Sequence, residues 1–161
     1  MPDRVLDVAD RRILGILQNE GRISNLDLAE RVGLSPSPCL RRVRALEEDG
    51  FIEGYRAQLD RRMLGLSVMA YLLVRLERHS EIEFEQQRSA ILALPEVIAC
   101  HVVSGEFDLF LHVLTKTLDE FRDFIMERMH TVPGLRDIRT CFVIDTITER
   151  SLSLGCMNSG K

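Results

Sequence analysis

The chain has 161 residues, 45% of them hydrophobic, 29% charged and 6% aromatic, which excludes a disordered or collagen-like polypeptide. Its formal net charge of −4 excludes a protein that is basic all over, so any nucleic-acid surface has to be local. The longest uncharged run, ending at Val74, is about half of the roughly 20 apolar residues a membrane helix needs. Asp3, Arg4, Asp7, Asp10, Arg11 and Arg12 interrupt any signal peptide, so a cytoplasmic protein with no membrane partner is expected. Cys39, Cys100, Cys141 and Cys156 are far apart and unevenly spread, which matches no zinc or redox-pair spacing and suits reduced thiols.

The chain up to Asp60 reads as helices joined by tight turns. Leu6, Ala9, Ile13, Ile16 and Leu17 recur at helical spacing behind an Asp7 N-cap, with Asp10 at the third helical position, and the pattern stops at Gly21. Ser24 opens a second helix, with Asp27 at its third position and Ile23 able to staple Leu28; Gly33 ends it in a left-handed turn. Ser35 opens a third helix with Pro36 at the position where proline costs no hydrogen bond, and Gly50 ends it. Along that helix Cys39, Val43 and Leu46 fall on the inner face, leaving Arg41, Arg42 and Arg44 largely outside. From Phe51 the period becomes two, and Ile52, Tyr55, Ala57 and Leu59 suggest a short strand or hinge before a linker at Asp60 to Gly65.

Two similar halves follow. A strand from Val68 to Leu76, a helix from Glu81 to Leu94 and a strand from Val97 to Ser104 lead to a turn at Gly105. A strand from Leu109 to Leu114, a helix from Leu118 to His130 and a strand from Ile138 to Ile147 complete the order βαββαβ. This is a split, ferredoxin-like arrangement, with four antiparallel strands and both helices on one face. The other face, carrying His101, Val103, Phe110 and His112, is left bare, and a second copy of the chain is the simplest cover for it. The fold class is therefore α+β. Residues 1–52 form a helix-turn-helix domain, 53–66 a hinge strand and linker, and 67–161 a second domain.

The helix pair from Ser24 to Gly50, joined through Gly33, Leu34 and Ser35, has the spacing of a helix-turn-helix whose second helix enters the major groove of double-stranded DNA. Between Pro36 and Leu46 it carries three arginines and no acid, although acids outnumber arginines over the whole stretch from Met1 to Asp60. That clustering is the footprint of a DNA-reading helix; a merely solvated helix face is the alternative. At the Gly105 turn, a Gly-x-x-Asp sequence can aim backbone N–H groups at a carboxylate while Asp108 meets an ammonium, the two ends of a free amino acid, or it can be an ordinary hairpin. His101 and His112 face each other if Glu106 and Phe107 are the central turn residues, but no third ligand is evident and no metal is assigned. No nucleophile-and-base spacing is apparent, so an enzyme is not expected.

Several runs of residues resemble the Lrp/AsnC feast/famine transcription regulators. In the helical part they are Ile23-Ser24-Asn25, Leu28-Ala29, Val32 through Cys39, Arg42-Val43, Leu46-Glu47 and Gly50-Phe51-Ile52; in the second domain, Cys100 through Asp108 and Val132-Pro133-Gly134. The resemblance implies a regulatory (RAM) domain over 67–161 that senses ligand and oligomerises as a dimer, and further as an octamer, with an amino acid or related metabolite as effector and no cofactor. It also implies that Ser35 caps the recognition helix or meets a phosphate, that Ser37, Pro38 and Arg41 stand where bases are read, and that Arg42 and Arg44 serve phosphates, with Arg42 the nearer to a base. It moves the effector site to a surface between dimers, built from Ser104, Gly105, Glu106 and Asp108 with Thr140 on the facing last strand. Leu109 and Phe110 follow Asp108 where the family often has a tyrosine, so a leucine-type pocket is not implied.

Overall fold

A computed structural model describes residues 5–77 and 80–148. The expectations on Asp3, Arg4 and Cys156, and the outer ends of both domain assignments, lie outside the described residues. The chain divides into two compact units, one reaching Gln58 and the other running from Leu59 to Ile147.

The first unit holds α1 (Val8–Leu17), α2 (Asn25–Val32) and α3 (Pro36–Glu48). Helix α1 begins with a reciprocal capping box in which Asp10 N–H donates to Asp7 Oδ1 at 2.8 Å and Asp7 N–H to Asp10 Oδ2 at 3.4 Å. Ser24 caps α2 by accepting from Asp27 N–H, and Gly33, at φ 73°, takes the left-handed conformation that reverses the chain into α3. Ile13, Leu28, Ala29, Cys39 and Leu46 are buried together in the small core between the helices. Of the short strand or hinge expected after Phe51, no strand is present among the described residues. Residues 51–59 belong to no strand or helix among the described residues; Phe51 and Ile52 pack on the helical core, and Tyr55 donates its hydroxyl proton to Glu47 at 2.9 Å.

The second unit is βαββαβ: β1 (Val68–Leu76), α4 (Glu81–Leu92), β2 (Val97–Val102), β3 (Leu109–Thr115), α5 (Leu118–Asp123) and β4 (Leu135–Phe142). The strands form one antiparallel sheet in the order β2-β3-β1-β4. Ala70, Leu72, Val74 and Leu76 of β1 and Leu109, Leu111 and Val113 of β3 point to the helices, where they meet Phe84 and Ile91 of α4 and Phe121 of α5. Beyond Asp123 the helix widens into a π turn over Phe124–Arg128 and tightens into a 3-10 turn over Met129–Thr131. Phe124 and Met129, one π turn apart, are thereby both buried against the sheet.

Strand β4 begins at Leu135, before the expected Ile138, and ends at Phe142, before the expected Ile147. Its partner β1 decides both limits. A bulge at Arg75/Leu76 pairs Leu76 with Leu135, and the last ladder bond, Val143 N–H to Met69 O, coincides with the start of β1. Past that point Ile144 and Ile147 are almost fully exposed.

The hairpin register also differs from expectation: His101 pairs with Phe110, and His112 with Ala99. The loop spans 103–108 and is closed by Val103 N–H to Asp108 O, because Phe107, expected at the turn's tip, is folded inward and buried. The slip is by an even number of positions and preserves the faces, so His101, Phe110 and His112 still lie opposite the helices, whereas Val103 falls in the loop beyond β2. On that face Tyr71 stacks on Phe110 with ring centroids 5.1 Å apart and meets His112 at 4.7 Å.

Candidate nucleic-acid interface and hairpin site

Helix α3 buries Cys39 and Leu46, and Ser37, Arg41, Arg44 and Glu48 follow one another on the opposite side at spacings of four, three and four. The offset from Cys39 to Arg41 amounts to about 200° around an α-helix, which is why this row faces solvent. Ser37, Leu40, Arg41, Arg44 and Glu48 border one shallow depression there, with Leu40 exposed between the arginines. Neither Arg41 nor Arg44 is ion-paired among the described residues, so both guanidiniums are available to an anionic partner.

Arg42 is placed differently. Its Nη1 donates to Asp7 Oδ2 at 2.7 Å and to Asp10 Oδ1 at 2.8 Å, so the guanidinium expected to lie nearer a base than that of Arg44 is tied to the first turn of α1. Asp7's carboxyl is kept below its ordinary range first by the Asp10 N–H and then by this guanidinium. The sequence carries a signal for the arrangement: Arg42 stands between buried Cys39 and buried Leu46, one turn from each, and so lies on the flank of the inner face.

Ser35 stands at the N-cap in extended conformation, as expected, but its side chain makes no capping bond. Proline at the first and third helical positions explains this in part, since Pro38 has no N–H for a cap to accept. The first turn is instead tied to α2 by Asn25 Nδ2, which donates to Pro36 O at 2.9 Å. Cys39 is buried, and burial pushes its thiol pKa up, which favours the unreactive neutral form.

In the second unit Gly105, at φ 115°, turns the hairpin. Glu106 is gripped by two arginines of the sheet: Arg75 donates to both its backbone and its carboxylate, and Arg139 Nη2 reaches the same Oε1 at 3.3 Å. Both guanidiniums lie over the Phe107 ring, at 5.2 and 4.9 Å from its centroid. Asp108 Oδ2 accepts from Leu76 N–H at 2.8 Å and fastens the hairpin to the bulge in β1.

Thr140 is not near this group within one chain. It pairs with Leu72, well along β1 from the Leu76 that Asp108 holds, about 13 Å at the usual rise of a strand. It lies on the helix side of the sheet, in a cleft that it shares with Ile125, His130, Asp137 and Ile138. Among the described residues no group of three side chains is placed to hold a metal, and no helix is long and apolar enough to cross a membrane.

Comparison with known proteins agrees with this anatomy. Residues 6–53 match the winged helix-turn-helix DNA-binding model and residues 69–152 the Lrp/AsnC ligand binding domain. The leucine-responsive regulatory protein of Klebsiella pneumoniae is 43% identical over 148 residues, covering 92% of this chain and 90% of the relative; that of Escherichia coli K12 is 42% identical with the same coverage. Among solved structures, a transcriptional regulator from Neisseria meningitidis in complex with L-methionine superposes with a TM-score of 0.90 at 34% identity, over 95% of this chain and 99% of that one. An AsnC family regulator from Agrobacterium tumefaciens gives 0.89 at 31%, over 94% and 99%. With matches running through both units, this chain belongs to the Lrp/AsnC family of DNA-binding transcriptional regulators, which join a helix-turn-helix to a ligand-binding domain.

Proposed function

We propose that this regulator reads double-stranded operator DNA with the exposed row of α3, Arg41 and Arg44 making the charged contacts and Ser35, Ser37 and Pro38 standing at the groove end of the helix. The observation that carries the reading is the pair of exposed guanidiniums on the face opposite Cys39 and Leu46, neither of them ion-paired among the described residues. Replacing Arg44 by alanine should weaken binding by about 1–3 kcal/mol if it meets a base edge, or lower the salt dependence by about one unit per half-site if it meets a phosphate. An unchanged affinity at every salt concentration would remove this face from the interface.

The effector is an amino acid, read at a site assembled from two subunits. The separation of the Ser104, Gly105, Glu106 and Asp108 hairpin from the Thr140 cleft supports this, since one chain does not bring them together. A second copy supplies the missing half, and the bare face around Tyr71 and Phe110 gives such copies an apolar surface on which to pair as dimers, and dimers to gather into octamers. The L-methionine bound by the Neisseria relative supports an amino-acid ligand class. Because Asp108 both carries a carboxylate for a ligand ammonium and fastens the hairpin to β1, binding there is coupled to hairpin closure. Light scattering with and without each amino acid tests the reading; an Asp108→Ala protein whose assembly still responds as wild type would place the site elsewhere.

A further inference from the structure

We propose that Arg42 is a positioning residue: it props the recognition helix against the first turn of α1, and the DNA-facing charge of α3 is carried by Arg41 and Arg44. The inference rests on α3 being the DNA-reading helix.

Its geometry is that of a strut. One nitrogen, Nη1, bridges two carboxylates, and the other oxygen of each is already used in the α1 capping box, Asp7 Oδ1 by Asp10 N–H and Asp10 Oδ2 by Asp7 N–H. The four bonds join the N-terminus of α1 to the middle of α3 in one network. Asp10 is 2% exposed, so moving Arg42 out to a phosphate would take a hydrogen-bonded cation away from a buried carboxylate. Helix α3 needs such a tether. Its N-cap side chain makes no capping bond, its first and third positions are prolines without N–H groups, and its first turn is held by Asn25. With Asn25 fixing the start and Arg42 the centre, two polar ties set the angle at which Arg41 and Arg44 meet the groove.

The test separates the two roles by sign. The probe is a fluorescent duplex selected from random sequence by the wild-type protein, titrated with full-length variants at several salt concentrations, with folding followed by circular dichroism. Asp7→Asn and Asp10→Asn remove negative charge and release Arg42. If Arg42 were a phosphate or base contact, both would bind DNA more tightly. As a strut it requires the reverse: each variant binds about tenfold more weakly, the size of one lost contact, with the wild-type salt slope. Arg42→Gln should also lose affinity at unchanged slope, whereas Arg44→Ala should lower the slope. Asp7→Asn keeps a good N-cap, so it and Arg42→Gln decide the matter if Asp10→Asn does not fold. Tighter binding by Asp7→Asn, or a slope for Arg42→Gln as low as that of Arg44→Ala, overturns the proposal. If Arg44→Ala changes neither affinity nor slope, it is the assignment of α3 that fails.

Discussion

The two units each contain an arginine–carboxylate cluster, and the clusters are built as opposites. In the helical unit one guanidinium, Arg42, serves two carboxylates, of which Asp10 is buried. In the sheet unit one carboxylate, Glu106, serves two guanidiniums, and its side chain remains 56% exposed. The ions are of the same kinds and the distances similar, yet the energetic consequences differ. Water screens the Glu106 cluster, so breaking it costs little; the Asp10 side of the other cluster is shielded, so breaking that leaves a charge without solvent. Counting ion pairs would rank the clusters equal, whereas burial separates them.

Asp10→Ala should break the comparison most visibly. It removes a capping partner and the shielded half of the Arg42 bridge, so thermal unfolding of the helical unit should show a loss of about 2–4 kcal/mol. A loss no larger than that of an ordinary surface substitution would mean that the network is not holding the helices. A double-mutant cycle sharpens the contrast: coupling between Asp10 and Arg42 of about 1–3 kcal/mol, against less than about 0.5 kcal/mol between Glu106 and Arg139. Glu106→Gln should accordingly cost under about 1 kcal/mol, and its effect should fade as added salt shortens the screening length.

The pH dependence is smaller. Asp7's folded pKa is depressed, so the stability it contributes is present above the ordinary carboxylate range and is lost as pH falls through the folded value. Tyr55 behaves oppositely. Burial, then the Glu47 carboxylate, push its pKa from 10.0 to about 12, so its contribution is complete below pH 10 and lost as pH rises towards 12. The side chain is half exposed, which reduces the effect; an ultraviolet titration of the phenol should nonetheless show it, and Glu47→Gln should bring the midpoint down.

Local chemistry was legible in the sequence and non-local chemistry was not. The Asp7 and Ser24 caps, the left-handed Gly33 and the span of β1 all follow from residues within one turn or one strand of each other. The length of β4 could not be read from its own residues, since β1 ends before its apolar run does. The hairpin register depended on whether Phe107 faces water or the sheet, a packing choice invisible in a turn-like string of residues. At the candidate sites, the exposed row on α3 followed from helical spacing, and the same spacing marks Arg42 as flanking the inner face. What spacing alone leaves open is which carboxylates that flank will meet, because the whole of α2 and most of α1 separate Asp7 and Asp10 from Arg42 along the chain.

The two prolines at the head of α3 have a consequence beyond the donors they remove. A proline ring holds its φ angle near the helical value, and Pro36 also favours the extended conformation that Ser35 takes at the N-cap. On the proposed reading of α3, the end that would enter the groove is thus preorganised: it has few backbone states to lose on meeting a duplex, so less of the interaction energy is consumed in ordering it. Such a helix meets correct and incorrect sequences with the same rigid outline. Discrimination is then left to the side chains and to the deformability of the duplex, rather than to folding upon contact.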